Sequence, residues 1–421
     1  MKPHSDHRSE GRWLRGISRN TVVLGLVSFL NDLSSDMIHP HLLAVFLDSV
    51  LGTPAAAIGL IGGVAESVSS LLKPLAGWLS DALKRRKPYV LIGYWLASIT
   101  RPLLALSSST WHVLGLRFVD RVGKGSRTAP RDAMIVDSTS RAYRGKAFGL
   151  HRALDTAGAA TGMLIVAILL HGAAGDLENT LRSIFVLASV PGIVLLALVV
   201  WGVRETGQAP GQAAPKLSGR EFRRALNPQL LKWYVVVFVF WLGNSSNMFL
   251  ILKARGLGMP VWQMPLLVFV MSAVHALLST PAGALSDRVG RRSLIVAGWL
   301  VYALVYAGFA FARSGPAMLL LFGAYGVFYT LTEGAERALV ADLSLAGARA
   351  TALGMYHFVV GAAALPASVI CGLLWQWDRL GEGGPQVALG FGAACALLAG
   401  VLFIILNPHP PAGSAPRSDP S

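Results

Sequence analysis

Apolar runs long enough to cross a lipid bilayer recur along almost the whole chain, and this feature most restricts its fold. A membrane-spanning helix needs about 20 mainly apolar residues, and the sequence contains twelve such runs. Their approximate limits are 21–47, 55–81, 88–106, 111–138, 147–170, 182–203, 231–252, 261–286, 293–312, 316–341, 350–374 and 386–406. The sequence therefore predicts an all-α membrane protein with twelve transmembrane helices.

Composition agrees with a membrane protein and argues against a soluble one. Of the 421 residues, 53% are hydrophobic and only 14% are charged, whereas a soluble domain carries roughly 25% charged residues. Both cysteines, Cys371 and Cys395, lie inside apolar runs, so we expect no disulfide framework. The first twenty residues are basic and polar and lack the apolar core of a signal peptide, so we expect the first apolar run to remain in the protein.

The positive charge is distributed unevenly between the two sides of the predicted membrane. Twenty-three of the 37 Lys and Arg residues lie in the terminal segments and in alternate loops, and five lie in the other loops, with Lys232 and Arg182 counted in the loops they border. Because cytoplasmic loops are enriched in Lys and Arg, we expect both termini in the cytoplasm and the protein in the plasma or inner membrane. The net charge of +15 is thus a topology signal, and nucleic acid is not an expected partner.

An internal repeat of about 206 residues relates the two halves of the chain. Gly77-Trp78-Leu79-Ser80-Asp81 matches Gly283-Ala284-Leu285-Ser286-Asp287, and Ser34-Ser35-Asp36-Met37 matches Ser245-Ser246-Asn247-Met248. The expected organisation is a cytoplasmic tail (1–20), a six-helix bundle (21–203), a cytoplasmic linker (204–230), a second six-helix bundle (231–406) and a disordered cytoplasmic tail (407–421).

The repeated loop after the second helix of each half resembles a motif of the major facilitator superfamily (MFS), Gly-x-x-x-Asp-(x)-Arg-x-x-Arg-Arg. It reads Gly77 to Arg86 in the first half and, more closely, Gly283 to Arg292 in the second. The resemblance covers about residues 20–406 and implies two six-helix bundles related by pseudo-two-fold symmetry, with a solute site between them near the midplane. It also implies a transporter of small solutes, which we expect to be a monomer.

The fourth helix carries the most unusual group of charges in the sequence. One sector of about 120° contains five cations and one carboxylate: Arg117, Asp120, Arg121, Lys124, Arg127 and Arg131. Charges at this depth are costly in lipid and must line a wet cavity or meet carboxylates. We predict that Arg117 and Arg121 face the solute, and that the other cations belong to a structural network at the cytoplasmic gate.

Polar residues of the first helix suggest a proton site. Asp32 and Asp36 share one face near the midplane, where a carboxylate can bind and release a proton; a permanent ion pair with the arginines is the alternative. The corresponding segment of the second half, with Asn244 and Asn247, is polar but neutral. We predict coupling charge in the first half, solute recognition in the second, and a further intramembrane carboxylate at Glu66.

The motif loops and the ends of the fourth and tenth helices are predicted to form a conformational gate. Each motif Asp lies at the end of a helix beside a basic cluster, and a Gly one turn earlier lets a neighbouring helix approach. The predicted gate residues are Gly77, Asp81, Arg85 and Arg131 in the first half, and Gly283, Asp287, Arg291, Glu336 and Arg337 in the second.

These observations together predict a secondary active transporter and not an enzyme. The phosphate-loop pattern fails at Phe118, where a Gly is required, so we expect no ATP site, no cofactor and no metal. We expect a proton-coupled carrier working by alternating access on an anionic or carboxylate-bearing solute. Two alternatives stay open: proton-antiport efflux of drugs or other cationic or amphipathic compounds, and a non-transporting membrane sensor on the same fold.

Overall fold

The computed structural model describes residues 17–38, 40–83, 85–139, 143–172, 176–206, 227–344, 349–377 and 383–408, and these residues form twelve long helical units without a strand. The first half contains α1 (Arg19–Asp36, then His41–Val45 and a π-helical turn Phe46–Val50), α2 (Ala55–Ala82), α3 (Lys87–Ala105), α4 (Thr110–Ser138), α5 (Arg144–Gly172) and α6 (Leu177–Leu187, Ser189–Ala197 and Leu198–Gly202). The second half contains α7 (Pro228–Gly243 and Met248–Gly256), α8 (Val261–Gln263 and Met264–Val289), α9 (Arg291–Phe311), α10 (Gly315–Leu343), α11 (Arg349–Trp375) and α12 (Gly384–Leu406).

The helices alternate in direction between two faces of the molecule. We call the face where α1 begins and α12 ends the terminal face, and the opposite one the distal face. Ten of the described helical units are long and apolar enough to cross a membrane by length and composition, and α3 and α4 are the two that are not. Arg101 in α3 and the charged stripe in α4 lower the hydropathy of these helices, and both are surrounded by other helices of the bundle.

The first helix of each half is interrupted near its middle. α1 stops at Asp36 and resumes at His41 after Pro40, which has no backbone N–H to donate. α7 stops at Gly243 and resumes at Met248. Broken helices leave backbone groups free to bind at membrane depth, and in transporters they mark the region of the solute site.

Contacts between the halves are concentrated toward the distal face. The larger apolar cluster combines the second segment of α1 with residues of α7 to α12, whereas the smaller cluster, which includes Leu24, Tyr94 and Ile135, lies within the first half. α2 and α11 pack backbone against backbone: a Cβ on Gly63 would lie 2.8 Å from Leu365 Cα, and one on Gly372 would lie 2.6 Å from Ala56 Cα. Such close packing of small residues replaces hydrophobic association inside lipid.

Candidate functional site

A cavity of about 1260 Å³ lies between the halves, where α5 faces α8. Residues of α1, α5, α8, α9 and α10 line it. Its deep end is at Asp32 and Ala160, and its rim is formed by Gly149, Ala282 and Arg291, which lie near the terminal-face ends of their helices. The cavity therefore opens toward the terminal face.

The distal side of the same interface is closed. The ring of His171 in α5 packs edge to face against the ring of Trp262 in α8, with ring centroids 4.9 Å apart. Arg255 donates to Ser49 Oγ across the halves at 3.1 Å. Where α2 meets α11, on the other side of the interface from α5 and α8, Ser67 donates to the Gly361 carbonyl at 2.5 Å. A solute in the cavity can thus reach one side of the molecule only.

Asp32 lines the cavity beside a second carboxyl group, Asp155 of α5. The two side chains are within hydrogen-bonding range of each other. Two carboxylates this close repel each other when both are ionised, which favours the binding of one proton by the pair. Asp155 was not among the predicted site residues, because the sequence does not show that α5 lies against α1 at this level.

The other neighbours decide which of the two carboxyl groups holds the proton. Asp155 accepts a hydrogen bond from Ser28 and pairs with Arg152 Nη1 at 3.6 Å. Asp32 accepts one hydrogen bond, from Asn31 Nδ2 at 2.7 Å. Because donors and a guanidinium favour the ionised form, the surroundings of Asp155 favour a carboxylate more strongly than those of Asp32 do.

Asn31 connects this pair to two buried arginines. Its Oδ1 accepts from Arg101 Nη2 at 2.9 Å and from Arg127 Nη2 at 3.2 Å. Arg101 also donates to Ser34 Oγ at 2.6 Å, and Arg127 lies over the Tyr94 ring, 4.5 Å from its centroid. Since guanidinium groups only donate, the amide oxygen of Asn31 must face them, and its nitrogen must therefore face Asp32. The sequence analysis did not single out Asn31.

Arg117 and Arg121, predicted to face the solute, both bind Asp120. Arg117 Nη1 lies 3.1 Å from Asp120 Oδ2, and Arg121 donates to the same oxygen from Nη2 at 2.5 Å and from Nε at 2.8 Å. All three side chains are at least nine-tenths buried, and none of them lines the cavity. In this conformation they form a compact charge cluster below the closed distal side.

The remaining predicted residues of the first half surround this region. Glu66 and Lys124 are exposed, and Asp36 is half-buried. The charges of Lys124 and Arg121 act on Asp36, and that of Glu66 acts on Lys124. Carboxylates and cations therefore alternate around the middle of the first half, and no single sign dominates.

The predicted polar residues of the second half are held by tyrosines. Asn244 and Asn247 lie in the break of α7 and accept from Tyr325 Oη at 3.4 and 3.3 Å. Tyr302 donates to the Gly243 carbonyl at 3.1 Å and so satisfies the end of the first α7 segment. The break is therefore supported by side chains of α9 and α10.

The gate residues predicted in the first half are only partly described. A Cβ on Gly77 would lie 3.2 Å from Ala129 Cβ, so α2 and α4 approach closely at this point. Arg131 donates to Asp132 Oδ1 at 3.0 and 3.1 Å and to Ser28 Oγ at 3.3 Å, whereas Arg85 is exposed. The side chain of Asp81 lies outside the described residues.

The gate residues predicted in the second half separate into two groups. Arg291 pairs with Asp342 at 2.8 Å, and Arg337 pairs with Glu333. Glu336 instead points into the second bundle and is 3% exposed; Trp299 Nε1 donates to it at 3.1 Å and Tyr356 Oη at 2.7 Å. Gly283 and Asp287 lie in α8, and the side chain of Asp287 lies outside the described part of the chain.

Three further polar residues lie on the cavity wall opposite Asp155. Glu333 and Arg337 of α10 form an ion pair, and His275 Nε2 of α8 lies 3.1 Å from Glu333 Oε2. His275 was not among the predicted site residues, since nothing in the sequence places α8 beside α10 at this depth. Among the described residues, no group of three or more His, Cys, Asp and Glu side chains could hold a metal ion.

Comparison with known proteins identifies the family. A model of the Major Facilitator Superfamily matches residues 24–275 and 234–420. An uncharacterised MFS-type transporter of Methanocaldococcus jannaschii is 37% identical over 399 residues, 93% of this chain and 96% of that relative. The multidrug resistance protein MdtH of Aeromonas hydrophila is 25% identical over 400 residues, 91% of this chain and 94% of that relative.

Solved structures agree at the level of the fold. The nucleoside transporter NupG has a TM-score of 0.78 at 14% identity, covering 92% of this chain and 98% of that one. A bacterial homologue of the human lysosomal transporter Spinster has a TM-score of 0.70 at 17% identity, covering 95% and 96%. These matches confirm the expected fold of two six-helix bundles. The chain belongs to the Major Facilitator Superfamily and is a multi-pass membrane transporter of small solutes.

Proposed function

We propose that the protein is a proton-coupled secondary active transporter that works by alternating access, and that Asp32 is its proton site. The observation that carries this proposal is the carboxyl pair of Asp32 and Asp155 in a cavity open to one face. The cavity gives Asp32 a route to solvent, and Asn31 and Asp155 give it partners in both protonation states. A carboxyl group in this position can load a proton from one side and release it to the other when the opening changes sides.

The topology expected from the sequence sets the direction of the cavity. With both termini in the cytoplasm, the terminal face is cytoplasmic, and the cavity opens toward the cytoplasm of a cell bounded by the plasma or inner membrane. Closing this side and opening the distal side requires the two bundles to rock against each other around the site. The contact between His171 and Trp262 has to break in this motion, whereas the backbone contact between α2 and α11 can serve as its pivot.

An anionic group on the solute is supported by the lining of the cavity. Arg152, Arg291 and Arg337 line it, and their guanidinium groups can bind carboxylate or phosphate in bidentate geometry. This support differs from the one inferred from the sequence. Arg117 and Arg121 share Asp120 and are buried in this conformation, so a solute meets the rim arginines first.

A second candidate is proton-coupled efflux of cationic or amphipathic compounds, which the similarity to MdtH favours. Asp32, Asp36 and Glu66 would then attract the solute. The two candidates differ in the charge that the carrier selects. We expect proteoliposomes to accumulate solutes that carry an anionic group rather than ethidium under a pH gradient, and accumulation of ethidium alone would favour the second candidate.

The proton site can be tested before any substrate is known. Dicyclohexylcarbodiimide modifies protonated carboxyl groups in apolar surroundings, and mass spectrometry locates the modified residue. We expect modification of Asp32 at a neutral pH at which Asp48, exposed on the distal face, stays unmodified. Asp32→Asn serves as the negative control and Asp48→Asn as the matched variant. Equal modification of both residues, or none at Asp32, would contradict the proposal.

A further inference from the structure

The charges that line the cavity are ordered by depth. α5 starts at the terminal face and runs inward, so Asp155 lies deeper than Arg152. α10 runs in the opposite direction and ends at the terminal face, so Glu333 lies deeper than Arg337. On both walls, therefore, a carboxylate lies near the floor and a guanidinium lies near the rim.

Other lining residues follow the same order. Asp32 lies at the deep end of the cavity, and Arg291, the first residue of α9, lies at the rim. Beside the cavity, on α2, the exposed Glu66 is two turns deeper than Lys73. Lys124 is an exception, since it is exposed near the middle of α4, but the charge of Glu66 acts on it. The cavity thus has its carboxylates, Asp155 and Glu333, near its floor and its guanidinium groups near its rim.

The separation of the two layers follows from helix geometry. Spacings of three residues on α5 and four on α10 correspond to an axial distance of about 4.5–6 Å at 1.5 Å per residue. The two walls also interact, because the charge of Arg152 acts on Glu333 across the cavity. A solute between the walls therefore meets both layers within a distance of one helical turn.

We infer that the transported solute is a zwitterion that enters this cavity with its cationic group leading and its anionic group at the rim. This inference rests on the proposed function, since it names the solute class of the same site. A monoanion would satisfy the rim arginines but place no positive charge near Asp155 and Glu333, and a monocation would do the reverse. A zwitterion with its charges about one helical turn apart, roughly 5 Å, complements both layers.

The charge order can be measured with thiol reagents of opposite charge. In a background with Cys371 and Cys395 replaced by Ala, single cysteines are placed at the deep residue Thr156 and at the rim residue Ala338, which both line the cavity. Rates are compared for a cationic trimethylammonium-ethyl and an anionic sulfonatoethyl methanethiosulfonate, each normalised to Ser108→Cys on the distal surface. We expect the cation-to-anion rate ratio to be about tenfold higher at Thr156→Cys than at Ala338→Cys. Equal ratios, or the opposite order, would overturn the inference.

The solute class can be tested by binding to the detergent-purified protein. The probes are two zwitterions, glycerophosphocholine and 4-aminobutanoate, with their single-charge counterparts choline, glycerol 3-phosphate, butylamine and butanoate. We expect at least one zwitterion to bind about tenfold more tightly than either of its counterparts, since both charge layers contribute. A panel in which no zwitterion binds more tightly than its counterparts would overturn the inference.

Two variants assign the effect to the floor of the cavity. Glu333→Gln should weaken binding of the zwitterion and of its cationic counterpart and leave the anionic one unchanged. The matched control is Glu178→Gln, which alters a partly exposed Arg–Glu pair with the same four-residue spacing near the distal face and should change none of them. Binding needs no gradient, so the outcomes separate. Zwitterion binding without gradient-driven flux would contradict proton coupling but not this inference. Gradient-driven flux of single-charge solutes and not of zwitterions would contradict this inference but not proton coupling.

Discussion

The interiors of the two halves are built from different chemistry. The first half buries a network of charged and amide groups, in which Arg101, Asn31 and Asp120 are each at most 6% exposed. The second half is filled with rings: Phe240 and Trp299 stack 4.8 Å apart at 11°, and Tyr302 and Tyr306 stack 4.1 Å apart at 20°. Among its described residues, the second half buries only two Asp, Glu, Lys, Arg or His side chains, Glu336 and Lys253.

This difference shows how one fold can separate two tasks. Hydrogen bonds to charged groups depend on the protonation state of their partners, so the interior of the first half can respond when Asp32 gains or loses a proton. Ring packing depends on shape and does not change with protonation. The first half is therefore suited to coupling, and the second half provides a stable wall and supports the break of α7. This division extends the asymmetry expected from the sequence.

The largest loss of unfolding free energy is expected when a buried cation is removed from the first half. Arg101→Met removes the hydrogen bonds to Asn31 and Ser34 and leaves these buried polar groups with fewer partners. We expect a loss of about 3 kcal/mol in unfolding free energy. Denaturant titration of the purified protein in detergent, followed by tryptophan fluorescence, measures this loss. A change below the level of the Tyr302 variant described below would contradict the importance given to the network.

The proton site should affect flux more than stability. We expect Asp32→Asn to lower pH-gradient-driven accumulation at least about 100-fold, equivalent to about 2.7 kcal/mol, because the amide cannot release a proton. Solute exchange without a gradient should persist, since the amide can still accept from Asn31. Counterflow in proteoliposomes separates the two readouts. Asp48→Asn should leave both unchanged.

A hydroxyl group of the second half should matter less. Tyr302→Phe keeps the ring stacked on Tyr306 and removes the donor to the Gly243 carbonyl at the break of α7. We expect a destabilisation of about 1 kcal/mol and no change in the pH dependence of transport. A shift in that pH dependence would show that the second half takes part in coupling.

The smallest effect is expected at Glu336, the buried carboxyl group of the second half. Glu336→Gln preserves an acceptor for Trp299 and a partner for Tyr356, so stability should change by less than about 1 kcal/mol. Gradient-driven flux should remain within about twofold of the unmodified protein. A large loss of flux would identify a second proton site and would show that coupling is not confined to the first half.

The sequence predicted the features that depend on position along a single helix. The helices, the repeat and the depth of Asp32 follow from apolar length and from 1.5 Å per residue. The partners across helices could not be read in this way. Asn31 joins Arg101 of α3 to Arg127 of α4, and this contact depends on how three helices rotate against one another.

The assignment of individual charges shows the same limit. The sequence placed Glu336 at the gate because it lies one turn from the end of the predicted tenth helix, whereas the structure turns it toward Trp299 and Tyr356. Glu333, only three residues away, lies near the same helix end, but its side chain lines the cavity. Periodicity locates a residue along a helix, but packing decides which side faces the cavity.

The glycine seam between α2 and α11 has a mechanical consequence. At Gly63 and Gly372 one backbone lies directly on the other, so the halves cannot slide past each other there without collisions. The two halves can still rotate about this contact, while α5 and α8, on the opposite side of the interface, move apart or together. A small molecule or antibody fragment that binds between α5 and α8 would therefore block this rotation and hold the carrier in one state. The contact between α2 and α11 offers no such binding site, because the two backbones touch there.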